Sequence, residues 1–159
     1  MRRKQLLKDI REELKLQTRE NLQYAKEVSQ EVLIQISLIE DRFRDKDDIF
    51  YKRKRMRSSY ATLQRASKTI YETSLWDRRQ IFRLLTAHEL LLGSLEGDIA
   101  DAIEWARSLQ KPKIRAKKLA QIKRHHLVHS NVSKILESLQ RASNGMIFLQ
   151  SVKNISKSI

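Results

Sequence analysis

One short stretch of the chain holds the side chains best suited to acid–base chemistry. Residues 124–129 read Arg-His-His-Leu-Val-His and contain three of the four histidines in the sequence. A histidine titrates near neutral pH and can move a proton, and an arginine can stabilise charge that develops on a phosphoryl group. Residues of these two types can together catalyse the cleavage of a nucleic-acid backbone.

The same stretch resembles the Arg-polar-x-x-x-His signature of the HEPN ribonucleases, small α-helical bundles whose Arg and His act at a dimer interface. The resemblance implies a metal-independent ribonuclease in which Arg124 steadies the scissile phosphate and His129 transfers a proton. His125 then occupies the polar position after the arginine. The alternative interpretation is that the three histidines only extend a basic surface.

Positive charge is concentrated in blocks of the sequence. The formal net charge is +14, and residues 49–71 carry seven basic and no acidic side chains. Residues 105–159 carry twelve basic side chains and a single acid, Glu137, whereas residues 72–104 carry three basic and seven acidic ones. Repulsion within a basic block destabilises a compact chain, so such a block typically faces an anionic partner. The blocks predict a polyanion such as nucleic acid, and the alternative is that they only maintain solubility.

Two clusters within these blocks are the predicted contact residues. Lysine and arginine neutralise phosphates and release counterions, which makes binding dependent on salt and indifferent to base sequence. The predicted nucleic-acid-binding residues are Lys52, Arg53, Lys54, Arg55, Arg57, Lys111, Lys113, Arg115, Lys117, Lys118, Lys123 and Arg124. Tyr51, Tyr60 and Trp76 are candidates for stacking on the bases of a single strand, or else for packing in the core.

The composition predicts an all-α protein without a cofactor or metal. The 159 residues include only three Gly and one Pro, which tight β-turns need, and no cysteine, which excludes disulfides and thiolate sites and favours a reducing compartment. No metalloprotease motif, carboxylate cluster or glycine-rich phosphate loop is present. No apolar run is long enough to span a membrane. We expect an intracellular protein, in the cytoplasm or in the nucleoid or nucleus, with no membrane contact.

Hydrophobic periodicity predicts an elongated bundle of about six helices with a long N-terminal helix. Apolar residues recur three or four positions apart over residues 6–43, which form a helix of about 57 Å that we expect to bind a partner chain. The other predicted helices cover residues 49–72, 74–93, 98–109, 112–128 and 131–145. Residues 1–145 then form one domain, and residues 146–159 form a C-terminal docking helix or tail.

Particular residues set the predicted helix ends. Ser74 and Asp77 resemble a capping box that starts the third helix, and Gly93 is the predicted stop of that helix. Pro112 suits the first turn of a helix because its missing N–H is no loss there. Gly145 is a predicted left-handed stop near the C-terminus.

Residues 50–92 resemble the helical domain of GINS replication-complex subunits. The similarity lies in FYKRKRMRSSYATLQRASKTIYETSLWDRRQIFRLL, residues 50–85, followed by AHELL. Arg-Arg-Gln-Ile, residues 78–81, stands where that family has Arg-x-x-Lys-Ile, and the sequence has no evident counterpart of the small β-domain that most members carry. The resemblance implies a non-enzymatic assembly subunit beside a replicative helicase.

The leading prediction is a non-enzymatic helical protein that contacts DNA or RNA through residues 51–57 and 111–124, as an accessory or assembly subunit of a nucleoprotein complex. The long first helix is predicted to bind a protein partner or a second copy of the chain, and the acidic segment 89–104 to make further protein contacts. Two alternatives stay open: a ribonuclease that uses Arg124 and His129, and a scaffold subunit whose basic surface binds an acidic protein.

Overall fold

The described part of the chain is a bundle of four α-helices. The computed structural model describes residues 2–43 and 54–158, with the side chains of Arg42 and Phe43 outside the description. The helices are α1 (Arg2–Phe43), α2 (Lys54–Glu72), α3 (Arg78–Arg107) and α4 (Pro112–Lys157). The predicted all-α fold and long first helix are confirmed. The predicted count of about six helices is wrong, because the described residues form four.

Two glycines that were expected to end helices lie inside helices instead. α3 continues through Gly93 and so joins the two helices predicted on either side, and α4 continues through Asn131 and Gly145 as far as Lys157. Neither glycine has a positive φ, so neither adopts the left-handed conformation of a helix C-cap. A glycine inside a helix costs about 1 kcal/mol relative to alanine, and the packing of a continuous helix offsets that cost.

The helix starts agree with the sequence in part. α3 is capped by Asp77, whose carboxylate accepts a hydrogen bond from the backbone N–H of Gln80 at 2.7 Å, so the predicted start at Ser74 is wrong. Pro112 lies in the first turn of α4, as predicted. The predicted start of the second helix at residue 49 lies outside the described residues.

α1 and α3 each pack against both α2 and α4, and the four helices surround one core. Asn131 of α4 donates a hydrogen bond to Gln35 of α1 at 3.0 Å, and Gly145 of α4 lies against Thr18 of α1. These contacts make α1 and α4 antiparallel along most of their length. Ser59 and Arg55 of α2 contact Ser94 and Asp98 of α3, so α2 and α3 are antiparallel as well. Only four residues join α3 to α4, which makes these two helices antiparallel too. α2 and α4 therefore run in the same direction, on opposite corners of the bundle.

The buried face of α4 differs from the predicted one. Ile114, Leu119, Ile122 and Leu127 follow the helical period, which predicts that they form the inner face. Only Ile122 is buried, however, and the other three are 44%, 37% and 51% exposed. The side chains that α4 buries in this region include polar ones: Gln121, His125 and Asn131. Apolar periodicity locates a stripe on a helix, but the neighbouring helices decide which stripe faces inward.

Candidate functional site

The two basic clusters lie at the same end of the bundle. The Tyr60 hydroxyl of α2 and Nδ1 of His125 in α4 are joined by a hydrogen bond of 2.5 Å, which places these residues at one level. Because α2 and α4 run in the same direction, Lys54 lies about level with residue 119 of α4 at 1.5 Å per residue. We call residues 54–57 of α2 and 111–124 of α4, taken together, the basic end.

The first turns of α4 extend past the described ends of α1 and α2. By the same register, residues 112–118 lie past the start of α2, and the hydrogen bond between Asn131 and Gln35 places the end of α1 level with about residue 123. Every residue from 111 to 120 is exposed or half-buried. α3 runs beside α4 at this end as far as Arg107, so the side of α4 that faces away from α3 is the one that can meet a partner.

Most cations of the basic end are open to solvent. The exposed ones that form no ion pair with another described residue are Lys54, Lys111, Lys113, Lys117, Lys123 and Arg124. Arg57 is also exposed, and Lys118 is half-buried. Arg115 is half-buried and its guanidinium donates to the carbonyl of Leu109 at 3.5 Å. Lys52 and Arg53 lie outside the described residues.

One cation of the basic end has a carboxylate neighbour. Arg55 lies 3.8 Å from the carboxylate of Asp98, but its side chain is 70% exposed. The side chain of Asp98 is only 8% exposed, so losing Arg55 would leave a buried carboxylate with less compensation, and Arg55 is less available to a phosphate than the unpaired cations.

Most cations in the first turns of α4 fall into two stripes. Lys113, Lys117 and Arg124 are four and seven residues apart, a spacing that places them on one side of a helix, over a length of about 16 Å. Arg115 and Lys118 are three residues apart and lie on another side. The first stripe is exposed throughout and is long enough to meet several phosphates of one strand.

Acidic residues also reach this end of the bundle. α1 carries exposed Glu40 and Asp41 near its end, and α3 carries exposed Asp101 and Glu104. Because α2 and α4 occupy opposite corners, these acid-bearing helix ends lie between the two basic ones. The first turn of α4, which extends past the described end of α1, has no acidic side chain of its own.

The candidate catalytic pair does not converge within one chain. Arg124 and His129 are five positions apart, which separates them by about 140° around α4. Arg124 lines a groove of about 250 Å³ between α1 and α4, together with Gln35, Leu38, Ile39 and Leu127. His129 lines a groove of about 210 Å³ between α3 and α4, together with Glu96, Ile99, Ala100, Ile103 and His126. One phosphate bound in either groove contacts only one member of the pair.

The three clustered histidines have three different environments. His125 is buried against Tyr60, so it does not extend the basic surface. His126 is exposed, and its ring stacks on that of His129 with 5.7 Å between centroids. Burial lowers the pKa of His129, the negative charge of Glu96 acts in the opposite direction, and His126 adds a smaller lowering effect. His129 is therefore uncharged at neutral pH and adds no positive charge to its groove.

The aromatic residues predicted to stack on bases do not form an exposed group in the described part of the chain. Tyr60 is 1% exposed and therefore belongs to the core, and Trp76 is half-buried against the core. Tyr51 lies outside the described residues. Among the described residues, these predicted candidates therefore provide no exposed set of rings for stacking.

A buried histidine that no sequence motif singled out lies in α3. His88 is fully buried, and its Nδ1–H donates to the carbonyl of Leu84 at 2.7 Å. Its Nε2 has no hydrogen-bond partner among residues 2–43 and 54–158. Desolvation by burial lowers the pKa of His88, and the hydrogen bond to Leu84 acts weakly in the opposite direction. Its position in the apolar period of α3, beside Leu84 and Leu85, is the signal in the sequence that agrees with this burial.

Within residues 2–43 and 54–158, no group of three or more His, Asp or Glu side chains is placed to hold a metal ion. In the same part of the chain, no helix contains an apolar segment long enough to cross a membrane. Comparisons with protein-family models, with curated proteins and with solved structures gave no match to this chain. The resemblances to HEPN ribonucleases and to GINS subunits remain predictions.

Proposed function

We propose that this protein binds nucleic acid through its basic end without cleaving it, as an accessory or assembly subunit of a nucleoprotein complex. The observation that supports this function best is the meeting of two basic clusters, far apart in sequence, at one end of the bundle. The opposite end of the bundle also carries exposed cations, such as Lys4, Lys8 and Lys153, but acidic side chains such as Asp9 and Glu12 are interspersed among them in the sequence. The two clusters of the basic end contain no acidic side chain.

The unpaired state of the cations supports binding to a polyanion. Six exposed Lys and Arg side chains of the basic end form no ion pair with another described residue. Each one that contacts a phosphate releases condensed counterions from the nucleic acid, which gives a favourable free energy that falls as salt concentration rises. The basic end presents no arrangement for reading base edges, so the proposed binding is independent of sequence.

The start of α4 is the proposed centre of the contact. Its cap residue Lys111 makes no side-chain hydrogen bond to the helix, and the first turn contains no acidic side chain. Lysines at a helix N-terminus are repelled by the helix dipole, whereas a phosphate is attracted to it. A phosphate bound there removes the repulsion and occupies the free backbone N–H groups.

The proposal is tested by fluorescence anisotropy with labelled duplex DNA, duplex RNA and single strands at low and at physiological salt. The triple variant Lys54→Gln, Lys113→Gln, Lys117→Gln is compared with Lys4→Gln, Lys8→Gln, Lys153→Gln, which removes the same charge from exposed positions at the other end of the bundle. We expect the first triple variant to bind more weakly than the wild type by about tenfold or more, and the second to bind almost as the wild type does. Equal losses for the two variants contradict the proposal.

The same samples separate this function from its alternatives. Incubation with RNA in excess chelator leaves the RNA intact if the protein only binds it. Cleavage that His129→Ala abolishes and His126→Ala does not supports the metal-independent ribonuclease instead. Competition with polyglutamate tests the scaffold alternative, because an acidic polypeptide that displaces the nucleic acid at equal charge concentration indicates an acidic protein as the partner.

A further inference from the structure

Three large aliphatic side chains are exposed together on the face that α1 and α4 share. Ile34, Leu38 and Leu127 are 58%, 60% and 51% exposed, and Leu38 and Leu127 line the same groove. A single exposed leucine needs no explanation, but a cluster on one face marks a surface that another molecule covers.

Charged residues flank these aliphatic side chains with opposite signs on the two helices. The stripe on α1 has a spacing of three, four and three residues and consists of Glu31, Ile34, Leu38 and Asp41. The stripe on α4 has a spacing of four, three and four residues and consists of Lys123, Leu127, Ser130 and Lys134. This is the spacing by which one helix packs against another in a coiled coil. The face therefore has an acidic side, a basic side and an apolar centre.

The two stripes are in register. Measured along the bundle from the hydrogen bond between Gln35 and Asn131, Leu38 lies three residues toward the basic end and Leu127 lies four. At 1.5 Å per residue the two leucines differ in level by about 1.5 Å. The face therefore has its apolar centre at one height on both helices.

The charges beyond the leucines are in register as well. Glu31 lies four residues from that hydrogen bond in the other direction, and Lys134 lies three, so these charges also differ in level by about 1.5 Å. Both side chains are exposed, and neither forms an ion pair with a described residue of its own chain.

We infer that a second copy of this chain covers the face, related to the first by a two-fold axis parallel to the helices. That axis places α1 of each copy against α4 of the other at the same level. Leu38 then packs on the partner's Leu127, and Glu31 pairs with the partner's Lys134, and each contact occurs twice. The four helices at the interface form an antiparallel bundle like the one within each chain.

An acidic side next to a basic side is what makes a second copy the fitting occupant. Rotation about the axis brings each acidic stripe onto a basic one, so the surface is complementary to itself. A partner that was uniformly acidic or uniformly basic would meet like charges on half of the face. The axis also places the two basic ends side by side, and that consequence alone rests on the proposed function.

Sedimentation equilibrium of the full chain, without nucleic acid and at physiological salt, tests the dimer. The wild type is expected to sediment with twice the chain mass at high concentration. Glu31→Lys and Lys134→Glu are each expected to raise the dissociation constant roughly tenfold or more, because two like-charge contacts replace two attractive ones. Glu89→Lys makes the same charge change as Glu31→Lys at an exposed position of α3 and should leave the constant unchanged.

Mixing the two variants is the decisive measurement. In a heterodimer of Glu31→Lys with Lys134→Glu, both contacts join opposite charges again, so the mixture is expected to dimerise almost as the wild type does. A wild type that stays monomeric overturns the inference, as does a constant that neither substitution changes. Weakening in each variant without recovery on mixing also overturns it, because it excludes the two-fold pairing.

A second pair of variants tests the apolar centre with no change of charge. Leu38→Gln is expected to weaken the dimer, whereas Leu90→Gln, at a leucine of α3 that is 72% exposed, is expected to have no effect. Equal effects of the two substitutions contradict the proposed face. A failure of these experiments leaves the nucleic-acid proposal separately testable, since no nucleic acid is present.

Discussion

Tyr60 and His125 meet across the centre of the bundle and join two helices that are not neighbours. Their hydrogen bond is 2.5 Å long and their ring centroids are 5.5 Å apart, whereas no Cα atom of α2 comes within 8 Å of one in α4. The contact fixes the level of α2 relative to α4. It thereby fixes which lysines and arginines share the basic end.

Loss of the Tyr60 hydroxyl should destabilise the fold measurably. Tyr60→Phe keeps the ring in the core but removes the buried hydrogen bond to His125, and we expect the free energy of unfolding to fall by about 1 to 2 kcal/mol. Tyr71→Phe is the matched control, because Tyr71 lies on the same helix and is 47% exposed. Urea denaturation followed by circular dichroism measures both. A change no larger than that of the control would show that the bond contributes no net stability.

The glycines of the bundle should respond to alanine in opposite directions. A Cβ atom at Gly145 overlaps the Oγ1 atom of Thr18 in α1, so we expect Gly145→Ala to destabilise the protein by about 1 to 3 kcal/mol. At Gly97 a Cβ atom meets nothing within 4 Å, so Gly97→Ala should stabilise it by up to about 1 kcal/mol. Adding Thr18→Ala to Gly145→Ala should recover part of the loss. Thermal unfolding of the four proteins checks the set, and equal signs at the two glycines would be inconsistent with this packing.

Acid should weaken the fold through His88. Burial holds the pKa of His88 below its ordinary value of 6.5 in the folded state, so the unfolded chain takes up a proton that the folded chain does not. The free energy of unfolding is therefore greatest above pH 6.5 and falls as the pH drops below it, by at most about 1.4 kcal/mol per pH unit for this group.

The histidine contribution is isolated by substitution. His88→Gln removes the titrating ring. Between pH 7.5 and pH 5.5, roughly one unit either side of the unfolded pKa, the free energy of unfolding of this variant should change less than that of the wild type. His126→Gln, at an exposed position, should keep the pH dependence of the wild type. Urea unfolding at each pH measures the three proteins. Parallel curves for wild type and His88→Gln would assign the acid sensitivity to other groups.

The dependence of the binding constant on salt concentration should show how many cations of the basic end contact phosphates. A plot of log binding constant against log salt concentration has a slope of about −0.9 per phosphate contact on duplex DNA, or about −0.7 on a single strand. The Lys54, Lys113, Lys117 triple variant should lose slope in proportion to the contacts removed, while the Lys4, Lys8, Lys153 variant should keep it. Weaker binding with an unchanged slope would mean that these lysines do not neutralise phosphates.

The long helices show which helix ends can be predicted from the local sequence pattern. The apolar period over residues 6–43 predicted α1, and Pro112 marked the start of α4, because both signals depend only on neighbouring residues. The predictions that helices end at Gly93 and at Gly145 are wrong, because both glycines lie inside helices. Their cost inside a helix is small and local, whereas the packing that offsets it comes from residues distant in the chain.

For the candidate site too, some features follow from the sequence alone and others from the tertiary structure. The amino-acid sequence by itself determined the helical class and the two basic blocks, since composition and helical period are properties of the chain alone. Tertiary structure decided that the blocks share one end, that Arg124 and His129 line different grooves, and that His125 faces Tyr60 in the core. These relationships depend on the direction and level of each helix relative to the others. They are set by side chains that meet only after the chain folds.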